Sequence, residues 1–364
     1  MELNEKLHEV CKAFRIAYPY LGFETIQMGN VNKTYKVNFR LEDGRPKSFL
    51  LQNVNTFAFR EPIGLMDNID KVTEHIRRKC PNRTCLHFHH TADRKTYLID
   101  GDNFWRMTNY IPSVTFNALK DPTILRNAGA AFGEFQNQLS DFDIHSLHET
   151  IPGFHDTRRR FEALKQAVEE DRVGRAGAAR EEIQFLLSHE ELACTLTDLQ
   201  KQGRLPLRVT HNDTKINNVL FDRDTYDALV VIDLDTVMPG LMGHDFGDAI
   251  RFAANFCEED CQDPAKAGVD MAVFRSFAEG FLSKTAPSIT QTEADTLSVS
   301  CICLTLELSA RFLTDYLQGD PYFHISYPEH NLVRTRCQLA LARDMMRKRE
   351  EMETIVRECL EKYR

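Results

Sequence analysis

The chain is short of tryptophan, of paired cysteines and of positive charge. Trp105 is the single tryptophan among 364 residues, the ten cysteines include no Cys-x-x-Cys pair, and 54 Asp and Glu outnumber 45 Lys and Arg. A net charge of −9 argues against nucleic acid as a partner, because phosphate backbones recruit basic surfaces. Unpatterned cysteines without an export signal indicate reduced thiols, so we expect a cytoplasmic protein.

Long apolar runs are missing as well. No uninterrupted run approaches the roughly 20 residues that cross a membrane, and the first residues do not resemble a signal peptide. We therefore expect no membrane association and a monomer whose partners are small molecules. At 364 residues the chain is long for one hydrophobic core, which predicts two domains.

Residues 1 to about 110 predict a small antiparallel sheet with one helix. Strands are expected near 23–28, 35–40, 48–52, 86–88 and 104–107, with a hairpin turn at 42–44. In the second strand Tyr35, Val37 and Phe39 alternate with polar residues, which is typical of a half-buried strand. Apolar residues at helical spacing between positions 65 and 76 predict the helix.

From residue 111 onward the apolar periodicity becomes helical. Helices are expected near 119–140, 156–172, 179–202, 267–283, 291–318 and 329–361. Only a strand-rich segment around 205–235 interrupts them. The sequence therefore predicts an α+β protein of two lobes: residues 1–110 as a small five-stranded antiparallel lobe, a connector near 107–111, and residues 111–364 as a mainly helical lobe.

One motif in the strand-rich segment carries chemistry. Residues 211–218 match the pattern His-x-Asp-x-x-x-x-Asn of kinase catalytic loops, and Ile-Asp-Leu-Asp follows at 232–235. Short strands expected at 219–221 and 228–232 form a hairpin that brings Asn218 close to Asp233. Phosphoryl transfer needs one carboxylate for the acceptor hydroxyl, here Asp213, and a separate amide–carboxylate pair for Mg²⁺. Asp is also common in turns, but that interpretation leaves the joint spacing unexplained.

These motifs resemble the aminoglycoside phosphotransferase and choline kinase superfamily, whose members phosphorylate small molecules. The phosphate-loop pattern Gly-x-x-Asn-x-x-Tyr-x-Val is present as Gly29, Asn32, Tyr35 and Val37. Several stretches look closer to the bacterial N-acetylhexosamine 1-kinases: 51–55, 105–107, 211–218, 232–237, 245–251 and 311–323. That resemblance implies a protein-kinase-like fold and ATP-dependent phosphorylation of the anomeric hydroxyl of an N-acetylhexosamine.

The resemblance also implies roles for individual residues. The catalytic base would be Asp213 with Lys215 beside it, the Mg²⁺ ligands Asn218 and Asp233, and the brace of the catalytic loop Asp245. ATP is expected on the phosphate loop, the third strand and the connector, through Gly29, Asn30, Asn32, Lys33, Gln52, Asn109 and Ile111. The amino sugar is expected on Asp235, Arg311, Asp315 and Tyr322.

Spacing alone leaves two of these roles open. Lys215 either offsets the charge of the transferred phosphoryl group or is an exposed loop lysine. Arg311 and Asp315, four apart on an expected helix, equally fit a surface ion pair, with Gly319 ending the helix.

One position departs from the wider kinase pattern. Where a protein kinase carries a strand lysine for the ATP phosphates, this chain has Gln52, which donates hydrogen bonds but carries no charge. We therefore expect Mg²⁺, loop amides and Lys33 or Lys215 to hold more of the phosphate charge. Two other functions stay open. One is a kinase for another alcohol, such as an aminoglycoside, choline, methylthioribose or homoserine. The other is a nucleotide-binding pseudokinase, which Gln52 favours and the intact motif opposes.

Overall fold

The computed structural model of the protein describes residues 2–26, 31–116 and 121–364. Its N-terminal lobe contains the strands β1 (Tyr20–Ile26), β2 (Lys33–Arg40), β3 (Pro46–Val54), β4 (Tyr97–Asp100) and β5 (Asn103–Asn109) and the helices α1 (Leu3–Ala13) and α2 (Pro62–Lys79). The strands form one antiparallel sheet in the order β1-β2-β3-β5-β4. The expected five-stranded antiparallel lobe is confirmed.

The two faces of this sheet make different contacts. On one face, apolar residues that alternate along β2, β3 and β5, such as Val37, Leu51 and Met107, form a small core with Leu7 of α1. This helix was not predicted from the sequence. On the other face the strand register aligns three polar positions, Thr34, Gln52 and Arg106. The polar face is the one that meets the rest of the molecule.

The fifth strand lies elsewhere than expected. Residues 86–88 make only an isolated bridge, Phe88 to Thr108, and the strand next to β5 is β4. Both segments share one edge of β5: β4 pairs with its first half, whereas the backbone of His87 and His89 bonds to its second half. The edge is long enough for only one regular strand, so the 86–88 expectation was wrong.

The C-terminal lobe is mainly helical. Its described α-helices are α3 (Pro122–Gln138), α4 (Thr157–Glu170), α5 (Arg180–Ser188), α6 (Glu190–Ala193), α7 (Thr195–Lys201), α8 (Met242–Ala253), α9 (Met271–Thr285), α10 (Gln291–Leu317), α11 (His330–Arg347) and α12 (Arg349–Tyr363). The expected helix at 179–202 is three short helices, and the one at 329–361 is two helices that meet at Lys348.

Helix α8 was missed for a physical reason. Every residue from 241 to 250 is buried, including His244, Asp245 and Asp248. Its apolar and polar residues do follow a helical period, but Gly243 and Gly247 lower the helix propensity and Leu241 supplies no side-chain cap, so no local start signal marks the helix.

Helix α10 forms the centre of this lobe. It begins with a capping box in which the Thr290 hydroxyl and the Glu293 carboxylate each bond the other's backbone N–H. By length and composition α10 could cross a membrane, but 89% of its most apolar window is buried inside the protein, as is usual for a core helix. All ten cysteines lie within the described residues and are unpaired.

Short strands of the C-terminal lobe position the catalytic motif. They are β6 (Arg208–Thr210), β7 (Val219–Phe221), β8 (Ala228–Val231) and β9 (Met238–Gly240). The expected hairpin is formed by β7 and β8, with Val219 opposite Val231. β6 pairs with β9, so the chain segments before and after the motif are tied together.

Candidate active site

Helix α8 holds the backbone of the catalytic-loop segment, residues 211–218. The Asp245 carboxylate accepts hydrogen bonds from the backbone N–H of His211 at 3.0 Å and of Asn212 at 2.8 Å. Gln136 of α3 donates to it at 2.5 Å. Burial raises the pKa of Asp245. These donors act against burial, because hydrogen bonds to the carboxylate favour its ionised form. The expected bracing role of Asp245 is confirmed.

Asp213 and Asn218 lie together at one end of this loop. Asn218 Nδ2 donates to the backbone carbonyl of Asp213 at 2.9 Å and to its carboxylate at 3.3 Å. The Asp213 side chain is 29% exposed, so a carboxylate oxygen faces solvent in the cleft. Because the amide nitrogen of Asn218 is used in this way, its Oδ1 is left as a free acceptor.

Asp233 reaches the same place from the other end of the hairpin. The Ile232 N–H donates to the Asn218 carbonyl at 2.8 Å, and His211 Nε2 lies 2.8 Å from the Ile232 carbonyl. Asp233 then adopts a left-handed backbone, φ 60° and ψ 57°, which turns its side chain out of the strand. The predicted convergence of Asn218 and Asp233 is therefore present in the structure.

The charge around Asp233 is strongly negative. Its side chain is open to water, yet protein atoms surround it on most sides, as at the floor of a cleft. Burial, Asp235 and Asp213 together raise the pKa of Asp233 to about 6. Within the described residues its carboxylate makes no hydrogen bond or ion pair. A carboxylate placed like this can bind a cation.

The free oxygens fit Mg²⁺. Asp233 offers a carboxylate and Asn218 offers an amide oxygen, and hard cations prefer such ligands. Nowhere in residues 2–26, 31–116 and 121–364 do three His, Cys, Asp or Glu side chains gather as a metal site. Two protein ligands suffice where phosphate oxygens complete the coordination shell, which is the usual arrangement for Mg²⁺ bound with a nucleotide.

Lys215 belongs to the site. Its ammonium lies 2.9 Å from the Asp213 carboxylate. Burial alone would lower the pKa of Lys215, but the nearby carboxylates of Asp213 and Asp248 outweigh burial and raise it. Asp248 accepts from the N–H of Thr214 at 3.0 Å and pairs with Arg251 at 2.7 Å. Lys215 is therefore a charged part of the loop's electrostatic network and not an isolated surface lysine.

Asp235 occupies a different place from the one expected. It is 3% exposed and forms an ion pair with Arg106 of β5, also 3% exposed. Asn32 Nδ2 donates to the same carboxylate at 2.7 Å. Both of its oxygens are thus engaged by the N-terminal lobe, and the predicted substrate role would have to compete with this pairing.

Arg106 was not identified as a site residue from the sequence, yet its contacts show what the Gln52 side chain binds. Arg106 Nε donates to Gln52 Oε1 at 2.9 Å, while Gln52 Nε2 donates to Thr34 at 3.1 Å. The guanidinium therefore lies beside the position where other kinases carry a strand lysine. The detectable signal is a charged residue inside a strand, in register with Gln52.

Other expected nucleotide contacts are distributed along the cleft. Asn32 is fixed between Asp235 and the N–H of Asn55, which donates to it at 2.9 Å. Lys33 is exposed at the start of β2. The Asn109 side chain accepts from the His87 N–H at 2.8 Å and so braces the segment before β4. The Ile111 carbonyl accepts from Ser113 at 2.9 Å. Gly29 and Asn30 lie outside the described residues.

Besides Asp235, the three other residues expected to bind the acceptor differ in their surroundings. Asp315 accepts from the backbone N–H of Tyr322 at 2.8 Å and of Phe323 at 2.9 Å, so its carboxylate fixes the turn after α10. The Tyr322 side chain is 73% exposed. The Arg311 guanidinium lies over the rings of Phe154 and Phe323, 5.5 Å and 5.6 Å from their centres. The surface ion pair that Arg311 and Asp315 could have formed is not present among the described contacts.

A small antiparallel sheet, a helical lobe and a catalytic loop that brings Asp213, Asn218 and Asp233 together define a kinase-like phosphotransferase fold. The phosphotransferase enzyme family model, APH, matches residues 37–278, more than half of the chain. The chain belongs to this family.

Solved structures share the fold along almost the whole chain. An aminoglycoside phosphotransferase from Alicyclobacillus acidocaldarius has a TM-score of 0.58 at 12% identity and covers 97% of this chain and 96% of its own. A microcompartment-associated aminopropanol kinase has a TM-score of 0.58 at 14% identity, covering 96% and 98%. An ethanolamine kinase from Plasmodium vivax has a TM-score of 0.51 at 14% identity, covering 87% and 82%. At such identities the likeness concerns the fold.

Proposed function

We propose that this protein transfers the γ-phosphoryl group of ATP to the anomeric hydroxyl of an N-acetylhexosamine, giving the sugar 1-phosphate. The observation that carries the phosphotransfer part is the convergence of Asp213, Asn218 and Asp233 from the two ends of a hairpin. The sugar as acceptor rests on the resemblance of residues 311–323 and 232–237 to hexosamine kinases.

Asp213 is the proposed catalytic base. Asn218 and Lys215 hold its carboxylate from two directions, at 3.3 Å and 2.9 Å, while its exposed part faces the cleft. There it can orient the acceptor hydroxyl and take its proton as the new O–P bond forms. Lys215 then balances the negative charge that this oxygen and the phosphoryl group share.

Asn218 and Asp233 are the proposed Mg²⁺ ligands. When bound, Mg²⁺ neutralises the phosphate oxygens and fixes the position of the transferred group. The unpaired Asp233 carboxylate and its raised pKa support this role, because a cation would offset the repulsion from Asp235 and Asp213.

The N-terminal lobe, residues 1–110, is proposed to bind ATP and the C-terminal lobe, residues 111–364, the acceptor. Gly29, Asn30, Asn32 and Lys33 would lie at the phosphates and Asn109 and Ile111 at the adenine. Since Arg106 is fully engaged by Gln52 and Asp235, we propose that Mg²⁺, loop amides and Lys33 or Lys215 carry the phosphate charge that a strand lysine carries in other kinases.

Two alternatives differ in what they predict. The names of the structural neighbours point to aminoglycosides and amino alcohols as acceptors of those proteins. A nucleotide-binding pseudokinase would bind ATP without transfer, but the free carboxylate at 233 and the solvent-facing base at 213 argue for a complete catalytic site.

A coupled ADP-release assay over sugars and amino alcohols tests the proposal. We expect N-acetylglucosamine or N-acetylgalactosamine to give the highest kcat/KM and a product labile at the anomeric phosphate. If an amino alcohol or an aminoglycoside gives a higher kcat/KM than either sugar, that compound and not the sugar is the acceptor. No ADP release above the Asp213→Asn variant with any acceptor would establish the pseudokinase instead.

A further inference from the structure

A cluster of cationic side chains lies where α4 begins, against the middle of α10 and the turn after it. We call it the cationic cluster and define it as Arg160 and Arg311, with His155 beside them and Phe154 and Phe323 as its aromatic walls. Arg160 Nη2 donates to the Phe154 carbonyl at 2.9 Å. Burial and the charge of Arg311 both lower the pKa of Arg160, so the two guanidinium groups lie close together.

Donors in this cluster have no partner. Arg160 Nε is buried and finds no acceptor within the described part of the chain. His155 Nε2 is buried and has no partner there either; because Nδ1 faces the Glu307 carboxylate, Nε2 is the acceptor nitrogen of the neutral ring. The Arg311 guanidinium makes ring contacts but no hydrogen bond to the described residues. Unsatisfied buried donors are costly and indicate an absent partner.

The cluster adjoins the catalytic loop through α8. The rings of His155 and His244 lie 4.6 Å apart. The residue after His244 is Asp245, whose carboxylate holds the backbone of the catalytic loop. The cluster and the catalytic loop are therefore in contact with the same helix, α8.

The carboxylates described next to the cluster itself are already bonded. Glu307 is 1% exposed, lies 2.9 Å from His155 Nδ1 and accepts from Thr157 at 2.7 Å. Asp315 holds the turn after α10, Asp320 pairs with Arg175 and Asp248 with Arg251. Arg160 Nε and the Arg311 guanidinium find no hydrogen-bond acceptor among the described residues.

We infer that the cationic cluster recognises the acceptor, and that it selects alcohols carrying an oxygen acceptor group, an amide carbonyl or a carboxylate, over alcohols carrying an ammonium group. The inference rests on the proposed phosphotransfer to an alcohol and extends it to the charge of that alcohol. An oxygen near Arg160 and Arg311 would satisfy their free N–H groups, whereas an ammonium would be repelled and would find no anion.

Matched acceptor pairs at pH 7 test this selectivity with the full-length protein, ATP and Mg²⁺. The pairs are N-acetylglucosamine with glucosamine and N-acetylethanolamine with ethanolamine. Where a pair is phosphorylated, we expect kcat/KM for the amide to exceed that for the amine by about tenfold or more. This is the size of effect expected from one hydrogen bond to a charged group. An amine equal to or better than its amide overturns the inference.

The Arg160→Gln variant tests whether Arg160 takes part in acceptor recognition. Arg159→Gln is the matched control, because Arg159 is the preceding residue of α4 and is exposed. Arg160→Gln should raise the KM of the amide acceptor about tenfold and reduce the amide-to-amine ratio, with the KM for ATP unchanged. A purely structural role would alter both KM values together. Unchanged acceptor KM and ratio in Arg160→Gln would remove Arg160 from recognition.

The outcomes separate this inference from the proposed sugar. Phosphorylation of N-acetylethanolamine alone contradicts the hexosamine but supports the charge selectivity. If no acceptor is phosphorylated, calorimetric titration of the same four probes onto the ADP- and Mg²⁺-bound protein decides. Binding of an amide and not of its amine supports the cluster, and binding of neither amide overturns it.

Discussion

At the scale of single residues, the pairing of Arg106 with Asp235 joins the two lobes through a buried ion pair. Both side chains are 3% exposed and come from different lobes. Removing one partner leaves a buried charge without compensation, which typically costs about 3–5 kcal/mol. The pair also holds Asp235 next to Asp233, so it fixes the position of the proposed metal ligand.

The Arg106→Gln variant should therefore be destabilised by about 3–5 kcal/mol in denaturant unfolding. Arg106→Gln combined with Asp235→Asn should recover part of this loss, because no buried charge then remains unpaired. If the double variant is as unstable as the sum of both single variants, the two side chains do not interact as the structure indicates.

Asp213→Asn should lower kcat by orders of magnitude while ATP still binds, because the variant lacks the group that takes the acceptor proton. Single-turnover kinetics and nucleotide titration measure the two properties separately. Near-normal kcat would move the base to another residue. Lys215→Gln should reduce kcat less, since its charge only assists.

Asp233→Asn should weaken the binding of ATP in the presence of Mg²⁺ and leave the much weaker Mg²⁺-free binding unchanged. Calorimetry with Mg²⁺ and with chelator gives both affinities. Asp227→Asn is a suitable control, because Asp227 is an exposed carboxylate in the β7–β8 turn. Equal affinities for the variant and the native protein would exclude Asp233 as a metal ligand.

At the scale of elements, the contact between α3 and α9 sets the position of the catalytic loop. Gly280 of α9 lies so close to α3 that an added Cβ would be 1.9 Å from the Arg126 carbonyl. The same helix α3 carries Gln136, which bonds Asp245, and Phe132, whose ring packs 5.7 Å from that of His211. The spacing of two helices is thereby transmitted to the catalytic loop.

Gly280→Ala should force α9 away from α3 and destabilise the protein by about 1–3 kcal/mol or more. Gly177→Ala is the matched control, because nothing lies within 4 Å of a Cβ at Gly177 and its φ is not positive. Thermal unfolding compares the two variants. A loss of stability no larger in Gly280→Ala than in Gly177→Ala would show that the helices separate without cost.

Elements also show where the sequence was informative. The hairpin of β7 and β8 was predicted because its two short apolar runs and the Asp-rich turn between them are local. Helix α8 was not predicted, because its two glycines and the absence of an N-cap side chain weaken the local signal of a helix whose residues otherwise follow a helical period. Helix α1 was not identified either. The position of β4 was decided by competition for one edge of β5, which no local pattern records.

At the scale of the whole molecule, buried histidine makes stability depend on pH. Burial and the neighbouring His155 lower the pKa of His244 from 6.5 to about 3. In the unfolded chain the same imidazole takes up a proton as the pH falls through 6.5, and in the folded protein it does not. Its contribution to stability is thus present above pH 6.5 and is lost progressively below it.

The free energy of unfolding should therefore fall by about 2 kcal/mol between pH 7 and pH 5 from His244 alone. Urea titrations at the two pH values measure the change. His244→Gln should flatten this slope, because glutamine does not titrate and still accepts a hydrogen bond from the Leu241 N–H. An identical slope in the variant would assign the pH dependence to other groups.

The sequence by itself determined the two-lobed α+β class, the catalytic loop and the hairpin that joins Asn218 to Asp233. These features depend on spacings of a few residues, where local geometry dictates which side chains meet. Tertiary structure alone decided that Asp235 pairs with Arg106, 129 residues away, and His155 with Glu307, 152 residues away. Such pairs form because burial makes an unpaired charge costly, and only packing determines which charges are buried together.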